Sequence, residues 1–386
     1  MPDEKNAELA ALTRWRRDLH RIPELDFELP ETTSYVRGVL DALSSCEVWE
    51  PCRGALCAYF DLGRPETVAL RADMDALPVA EATGAPYASE RPGRMHACGH
   101  DGHMAMALGA AVWVDRVMAG REPGSRAEDL PRNVLLVFQP AEETTGGARV
   151  VCESGVFGRM GVTRIFGFHL WPDLPAGALA SRPGPLLARS SEATVSFHGR
   201  SSHIARWQEG ADALAAAARF VPSAEAMCGR LSRERGEPCL LRFGRLEAGT
   251  VRNAIAGEAR AEGSLRVFSD EMFDRARGAL RTLAESAAKT EGCAVDVTFS
   301  EGYPPVDNDA ALFSLVERAL PGMGRIDEPL LIAEDFAFYQ RCLPGVFILL
   351  GTGTGTGTPL HADTFDFDER VLLAGVETYR RLLRMA

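Results

Sequence analysis

The sequence predicts an α/β protein with a mixed, mostly parallel central sheet flanked by helices, and a small βαββαβ domain inserted into it. Three observations predict this. Continuous apolar strands recur along the chain between helical segments, which is typical of a parallel sheet covered on both faces. A segment of different pattern, residues 189–301, interrupts the series. Finally, 386 residues are too many for one simple domain.

The composition limits the classes of partner. A net charge of −12 argues against nucleic acid and anionic membrane, since both favour a basic surface, and a small-molecule ligand fits better. We find no apolar segment of signal-peptide or membrane-spanning length, so a cytoplasmic location is expected. The nine cysteines form no CxxC pair, and most are expected to be small buried apolar residues.

The amino-terminal part of the chain predicts helices and then strands. Residues 6–44 place apolar and charged positions at helical spacing, and Pro23 is expected to end the first of two helices. Two strand-like stretches follow, GALCAYFDL and TVALRADMDALP. The second ends in Asp73 and Asp75, which alternate onto one face of an extended chain. These carboxylates could equally belong to a solvated turn.

The next stretch, MHACGHDGH at residues 95–103, is rich in metal-binding side chains. Cys98 and His100 can converge on one divalent cation if the chain between them turns. A loop that happens to be rich in histidine is the alternative interpretation. Asp101 is expected to cap the helix that follows, with Met104 and Leu108 on one of its sides.

Three later apolar strands deliver further candidate ligands. NVLLVFQ leads to Glu142 and Glu143, RIFGFHLWP carries His169 near its end, and GVFILL runs into a loop that brings up His361. Open α/β sheets bind ligands outside the carboxyl ends of their strands, so these side chains are expected to share one metal site. The GTGTGTGT run at 351–358 lacks the spacing of a dinucleotide fingerprint, and we interpret it as a flexible loop before His361.

The inserted segment reads as strand, helix, strand, strand, helix and strand, the order of a ferredoxin-like split βαβ sandwich. We therefore predict one domain from residues 1–188 and 302–386, and a second from 189–301. His203 and Asn253 lie in turns of the second domain. Either could be a simple turn residue.

Five motifs, RADMDALP, MHACGHD, QPAEE, EDFAFY and PLH, occur in this order around the insertion. In this the chain resembles the zinc-dependent amidohydrolase and metallopeptidase family of aminoacylases, hippurate hydrolases and auxin-conjugate hydrolases. The resemblance implies a zinc-exopeptidase-like fold and Glu142 as general base and acid. It implies one or two divalent ions, with zinc first and manganese or cobalt as alternatives. The implied metal ligands are Cys98, His100, Glu143, His169 and His361.

The resemblance also assigns roles outside the ligand set. It implies that the inserted domain is a lid that forms a homodimer, and that His203 and Asn253 reach the substrate. We expect Asp75 and Asp101 to orient ligands, and Glu334 and Asp335 of EDFAFY are candidates for the same task.

One departure from the family pattern concerns the substrate pocket. A proline-histidine pair usually follows the lid histidine, but this chain has Trp207 and Gln208 there. We hypothesise that Trp207 contacts the substrate and widens preference toward a bulky or aromatic acyl or amino-acid part.

The predicted function is metal-dependent hydrolysis of the amide bond of N-acyl amino acids or related amides. Glu142 would take a proton from a metal-activated water and pass it to the departing nitrogen. Alternatives on the same scaffold are a dipeptidase or carboxypeptidase, and an N-acetyl-diaminopimelate-type deacetylase. A catalytically silent metal-binding protein is disfavoured because both Glu142 and the candidate ligands are present.

Overall fold

The structure, a computed structural model, describes residues 2–353 and 358–386. Its helices are, in chain order, α1 (Pro2–Arg21), α2 (Pro30–Leu40), α3 (His100–Met118), α4 (Gly147–Glu153), α5 (Val156–Arg159), α6 (Ala213–Arg235), α7 (Asp270–Glu291), α8 (Ala310–Ala319), α9 (Ala337–Cys342) and α10 (Val371–Leu383). Short 3-10 segments lie at Ala127–Asp129 and at Ile204–Glu209, the second with a kink at Arg206. Residues 354–357, within the loop predicted before His361, lie outside the described residues.

The strands lie between these helices. They are β1 (Glu47–Trp49), β2 (Leu56–Phe60), β3 (Thr67–Asp73), β4 (Asn133–Gln139), β5 (Val162–Pro175), β6 (Leu179–Ser181), β7 (Gly184–Leu187), β8 (Arg189–His198), β9 (Cys239–Ala248), β10 (Glu258–Val267), β11 (Ala294–Phe299), β12 (Val306–Asn308), β13 (Gly324–Arg325) and β14 (Gly345–Gly353). In the described part of the chain they form one large sheet, one four-stranded sheet and the β7–β12 pair.

Two compact units divide the chain. The larger unit comprises Met1–Leu186, Asp307–Glu328 and Asp335–Ala386, and the smaller comprises Leu187–Val306 and Pro329–Glu334. The segment Pro329–Glu334 differs from the predicted division, which placed it in the first domain. It belongs to the smaller unit because the Ala188 N–H donates to the Ile332 carbonyl at 2.8 Å, a contact between residues far apart in sequence.

The large sheet has the strand order β1-β2-β4-β3-β5-β14-β6-β13 among the described residues. Its centre is parallel, since β3 pairs in parallel with both β4 and β5, and β14 pairs in parallel with β5. The strands β1 and β2 add an antiparallel edge. Every residue of β3 and β4 is buried, which explains why these strands read as continuous apolar runs. The predicted mixed, mostly parallel sheet is confirmed.

The helices of the larger unit follow the sequence signals with one exception. Helix α1 ends at Arg21, before Pro23, as predicted. The prediction that Asp101 caps α3 was wrong: α3 begins at His100, and its N-cap is Gly99 in the left-handed conformation. Asp101 lies within the first turn, where long-range partners hold its carboxylate. None of the described helices combines the length and hydropathy needed to cross a membrane.

The smaller unit contains a four-stranded antiparallel sheet of order β11-β8-β10-β9, with α6 and α7 packed on it. Residues along β8 alternate between buried and more exposed positions. The buried side chains Val195 and Phe197 belong to one apolar cluster with Phe220 of α6 and Leu280 of α7. This alternation is what a sheet covered on one face requires. The order β8-α6-β9-β10-α7-β11 is the predicted βαββαβ arrangement.

Candidate metal centre

The carboxyl ends of the central strands bring the candidate ligands to one edge of the large sheet. Strand β3 ends at Asp73 and β4 at Gln139, and these two residues are paired in register. His169 lies on β5 beside Leu349 of β14. The parallel strands therefore deliver polar side chains side by side, as predicted from their positions in the sequence.

The five predicted ligands meet at this edge. The candidate ligand atoms of Cys98, His100 and His169 all lie within 4.8 Å of one another, and so do those of Cys98, Glu143 and His361. The Cys98 sulfur is 3.3 Å from His169 Nε2, and His361 Nε2 is 3.4 Å from Glu143 Oε1. Both groups contain Cys98, so this thiol is the side chain that the two groups share.

Unusual backbone conformations place Cys98, His100 and His361 near one another. Gly99, between Cys98 and His100, has φ = 85°, and a Cβ there would lie 2.9 Å from the Leu170 side chain. Only glycine meets both conditions without strain. His361 has φ = 66°, and its N–H donates to the Ala97 carbonyl at 2.8 Å. That hydrogen bond ties the His361 loop to the segment that carries Cys98.

Two imidazoles are oriented for metal binding. His100 Nδ1 lies 2.8 Å from the Asp75 carbonyl, and His169 Nδ1 lies 2.7 Å from the Leu170 carbonyl. A carbonyl can only accept, so each Nδ1 carries a proton, and in the neutral ring Nε2 is left to present a lone pair to a cation. Among the described residues, His100 Nε2 is buried without a hydrogen-bond partner, 3.5 Å from Asp73 Oδ2. This donor set fits a divalent cation.

The electrostatics of the cluster agree with that fit. Burial alone would raise the pKa of Glu143, but contact with His361 and the charge of His100 outweigh it and lower the pKa to about 2. Burial alone would lower the pKa of His100, but Asp73 and Asp75 outweigh it and raise the pKa to about 10. A negative field that holds a proton on a buried imidazole would equally favour a divalent cation.

Asp75 holds the segment that carries the two glutamates. Its Oδ1 accepts the Glu142 N–H at 2.9 Å and its Oδ2 accepts the Glu143 N–H at 3.0 Å. The preceding residue, Ala141, has φ = 56°, a conformation unusual for a residue with a Cβ. Because the Asp75 carbonyl also accepts from His100, one residue orients a candidate ligand imidazole and both glutamates.

The two adjacent glutamates are placed differently. Both have carboxylate oxygens near His100, but in the described structure Glu143 also groups with Cys98 and His361 and Glu142 does not. Glu142 is 6% exposed, and its Oε1 lies 3.4 Å from the Asp335 backbone nitrogen. Neighbouring residues that point to different places are what a ligand and a separate base require.

The other two histidines of MHACGHDGH lie outside the ligand set. His103 Nδ1 donates to Asp73 at 2.6 Å, and its Nε2 accepts the Leu170 N–H at 3.0 Å, so both nitrogens are engaged. His96 is buried, and burial lowers its pKa to about 3, so it is neutral.

One functional candidate escaped the sequence reasoning. Arg71 is buried in β3 and forms ion pairs with Asp73 at 2.6 Å and with Asp335 at 2.8 Å. The sequence could have indicated this role, because an arginine inside a largely apolar strand is buried and must have buried partners.

Asp101 contacts the amino-terminal helix. Its Oδ2 accepts from Arg16 Nε at 2.8 Å and lies 2.8 Å from His20 Nδ1. Arg16 also pairs with Asp366 at 2.7 Å and lies over the Phe367 ring at 4.4 Å. Asp101 thus anchors the first turn of α3, which begins with His100, to a buried charged network.

The same network predicts a pH-dependent stability. Burial alone would lower the pKa of His20, but hydrogen bonds to Asp101 and Glu81 outweigh it and raise the pKa to about 9. Because this pKa is raised in the folded state, the stabilisation from protonated His20 is complete below about pH 6.5. It is lost as the pH rises toward 9. We expect the free energy of unfolding of the wild type, relative to His20→Gln, to fall by on the order of 3 kcal/mol across that interval.

Urea denaturation of both proteins at pH steps from 6 to 10, at equal metal content, would measure this difference. Taking the difference between the two proteins removes other groups that titrate in the same interval. A difference that did not change with pH would contradict the assignment of a protonated His20.

Three residues of the smaller unit are predicted to contact the substrate, and they lie close together: His203, Trp207 and Asn253. The Ile204 N–H donates to the Asn253 carbonyl at 3.0 Å, and His203 pairs with Ala254 in an isolated bridge. Trp207 lies on the turn that starts after His203, and its side chain is 62% exposed. His203 Nδ1 accepts the Ala205 N–H at 3.1 Å, so the neutral ring carries its proton on Nε2 and can donate there.

Comparison with known proteins agrees with this architecture. The N-acetyldiaminopimelate deacetylase of Lacticaseibacillus casei (strain BL23) is 34% identical over 386 residues, covering 96% of each chain. A crystal structure of a dinuclear metal-binding peptidase of the M20 family from Bacillus subtilis is 31% identical, with a TM-score of 0.83 over 98% of each chain. An aminobenzoyl-glutamate utilization protein from Klebsiella pneumoniae, 22% identical, shares the fold with a TM-score of 0.69 over 99% of this chain and 98% of its own.

The family assignment rests on coverage as well as identity. A model of peptidase family M20/M25/M40 matches residues 69–385, which include the whole candidate metal centre from Asp73 to His361. The chain therefore belongs to peptidase family M20/M25/M40 and is, as the sequence predicts, a metal-dependent amidohydrolase.

Proposed function

We propose that this protein hydrolyses the amide bond of N-acyl amino acids with one or two divalent metal ions. The observation that carries the proposal is the meeting of five potential ligands at one sheet edge, beside an additional buried carboxylate, Glu142. A purely structural metal site would need no such carboxylate. The proposed ligands are Cys98, His100, Glu143, His169 and His361. Zinc is our first choice, and manganese and cobalt can share such ligands.

The chemistry follows from the positions of the chain's own groups. A bound divalent cation supplies Lewis acidity that makes water a competent nucleophile near neutral pH. Glu142 takes the proton from that water and returns it to the departing amine nitrogen. The Asp75 carboxylate holds Glu142 at its backbone nitrogen, which limits the positions that this base can adopt.

We assign substrate contacts to the smaller unit. His203 would donate from Nε2 to the oxygen on which negative charge develops, since its Nδ1 already accepts from Ala205. Asn253, on the neighbouring turn, would bind the carboxylate or amide of the substrate. Both residues are exposed, which supports a role in contacting a ligand.

A second candidate is deacetylation of an N-acetyl-diaminopimelate-type substrate. The 34% identity to a deacetylase of that name, over nearly the whole chain, favours it specifically. Such a substrate is itself an N-acyl amino acid with a second, charged amino-acid end. The two candidates therefore share the chemistry and differ in what the substrate pocket must bind.

A hydrolysis screen tests both. Purified enzyme would be assayed on acetyl-, benzoyl- and longer-chain acyl amino acids, on N-acetyl-diaminopimelate and on dipeptides with free amines. Each assay is run after chelation and after addition of zinc, manganese or cobalt. We expect metal-dependent turnover of acylated substrates. Turnover confined to dipeptides would replace the proposal with a peptidase, and no turnover with any metal would refute it.

Trp207→Ala is expected to change substrate preference rather than catalysis. If the exposed indole packs on an aromatic acyl or amino-acid part, its removal lowers kcat/KM for benzoyl and aryl substrates about 10-fold more than for acetyl ones. The measurement is kcat/KM across the panel for wild type and variant. Leu331→Ala, which removes another exposed apolar side chain of the smaller unit, is the control. An unchanged rank order would remove Trp207 from the substrate site.

We also propose that the protein is a homodimer formed through the smaller unit. Its large exposed apolar side chains support this, since Leu214, Leu246 and Val251 are each at least 48% exposed. Light scattering coupled to size-exclusion chromatography measures the mass directly. A monomeric mass at micromolar concentration would count against the dimer.

A further inference from the structure

A buried guanidinium links the strand ends beneath the metal centre. Arg71 Nη1 is 2.6 Å from Asp73 Oδ2, Nη2 is 2.8 Å from Asp335 Oδ1, and Nε donates to Gln139 Oε1 at 2.8 Å. The side chains of Arg71, Asp73 and Asp335 are 0% exposed. Charges buried this completely are stable only with well-formed partners, and a planar fork makes such contacts directional.

The Asp335 carboxylate is held from two further directions. Its Oδ2 accepts from Gln139 Nε2 at 2.7 Å and from the Ala148 N–H at 2.9 Å. Gln139 ends the strand that leads to Glu142, and Ala148 lies in the first turn of α4, just beyond it. Asp335 is therefore clamped to both ends of the segment that carries Glu142.

We propose that Asp335, clamped by Arg71, is a positioning residue for Glu142. The Asp335 backbone nitrogen is 3.4 Å from Glu142 Oε1, a long hydrogen bond that directs the Glu142 carboxylate. The Glu142 backbone is held separately by Asp75 at 2.9 Å. Glu142 is thus held at its backbone nitrogen and at one carboxylate oxygen. This inference rests on the proposed function, in which Glu142 is the base.

Asp335→Asn is the sharpest variant because it keeps shape and changes one atom. The aspartate accepts hydrogen bonds from Arg71, Gln139 and Ala148. An amide has one oxygen and one NH₂ group in place of two oxygens. Its NH₂ must therefore face at least one of these donors, and that hydrogen bond is lost. The Arg71–Asp73 ion pair remains, which keeps the buried arginine neutralised.

Tyr339→Phe is the matched control. The Tyr339 hydroxyl donates to Gln139 Oε1 at 2.9 Å, in the same network, and the residue is 0% exposed. This variant removes one buried hydrogen bond without touching Asp335. For Asp335→Asn we expect kcat to fall about 100-fold with an unchanged KM and metal content. For Tyr339→Phe we expect some loss of stability and an unchanged kcat.

A crystal structure of each variant gives a readout independent of turnover. We expect Glu142 in a single conformer near the Asp335 nitrogen in the wild type and in Tyr339→Phe, and displaced or in several conformers in Asp335→Asn. A displaced Glu142 in a protein that hydrolyses no amide would support the positioning role and refute the proposed function. An unmoved Glu142, an unchanged kcat, or an equal loss of kcat in both variants would overturn the positioning role.

Should Asp335→Asn fail to fold, Arg71→Lys tests the clamp instead. Lysine keeps the positive charge between the two carboxylates but lacks the fork that reaches Gln139 and Asp335 together. We expect kcat to fall, with KM and metal content unchanged. Wild-type kcat in this variant would overturn the proposal.

Discussion

Glu142→Gln is expected to lower kcat about 10³-fold while leaving the fold, the KM and the bound metal unchanged. Glutamine has the shape of glutamate but cannot take a proton from water at neutral pH. Its backbone N–H still donates to Asp75 at the wild-type position, so the segment stays in place. Steady-state kinetics and metal analysis on the same preparation measure all of these quantities.

The neighbouring residue provides a direct contrast. Glu143 groups with Cys98 and His361, so Glu143→Gln is expected to lose metal as well as activity. Glu153→Gln, an exposed change on α4, should alter neither. Retention of more than about a tenth of the wild-type kcat by Glu142→Gln would show that another group accepts the proton.

Cys98→Ser has the second large expected effect. Cys98 is the residue common to both groups of candidate ligands, and thiolate is the strongest ligand that either group offers for zinc. We expect metal affinity to fall by at least about 100-fold, with turnover lost at ordinary metal concentrations. Metal content by mass spectrometry, before and after dialysis against a chelator, measures the loss.

Metal restoration separates a site defect from a folding defect. Wild-type enzyme stripped by the chelator should regain turnover when zinc, manganese or cobalt is returned, and Cys98→Ser should not. Cys228→Ser changes another buried cysteine, in the smaller unit, and should bind metal as the wild type does. Equal metal content in Cys98→Ser and the wild type would exclude Cys98 as a ligand. A wild-type stoichiometry of one or two ions would settle whether the shared thiol serves one cation or two.

Most of the architecture could be predicted from the sequence because burial determines the pattern of apolar and polar residues along each strand and helix. Strands covered on both faces are mostly apolar along their length, so β3 and β4 could be recognised one at a time. The alternation in β8 and the order of elements around it predicted the βαββαβ unit in the same way. The segment Pro329–Glu334 could not be assigned correctly, because what joins it to the smaller unit is a hydrogen bond to Ala188, more than a hundred residues away.

The start of α3 shows how a distant contact overrides a local rule. An aspartate near the beginning of a helix is a good N-cap by its chemistry, and the sequence offers Asp101 for that task. In the structure its carboxylate is taken by Arg16 and His20, from a different helix, and Gly99 occupies the cap position. Nothing within a few residues of Asp101 indicates that competition.

By itself, the sequence determined which side chains follow the central strands, and hence that thiol, imidazole and carboxylate groups can meet at one edge of a parallel sheet. Only the tertiary structure decided how they are held: Asp75 across the backbone of both glutamates, His100 with its Nε2 left bare, and Arg71 between two carboxylates. The reason is physical. Strand character is a property of neighbouring residues, whereas the partner of a buried polar group depends on which distant segments pack against it.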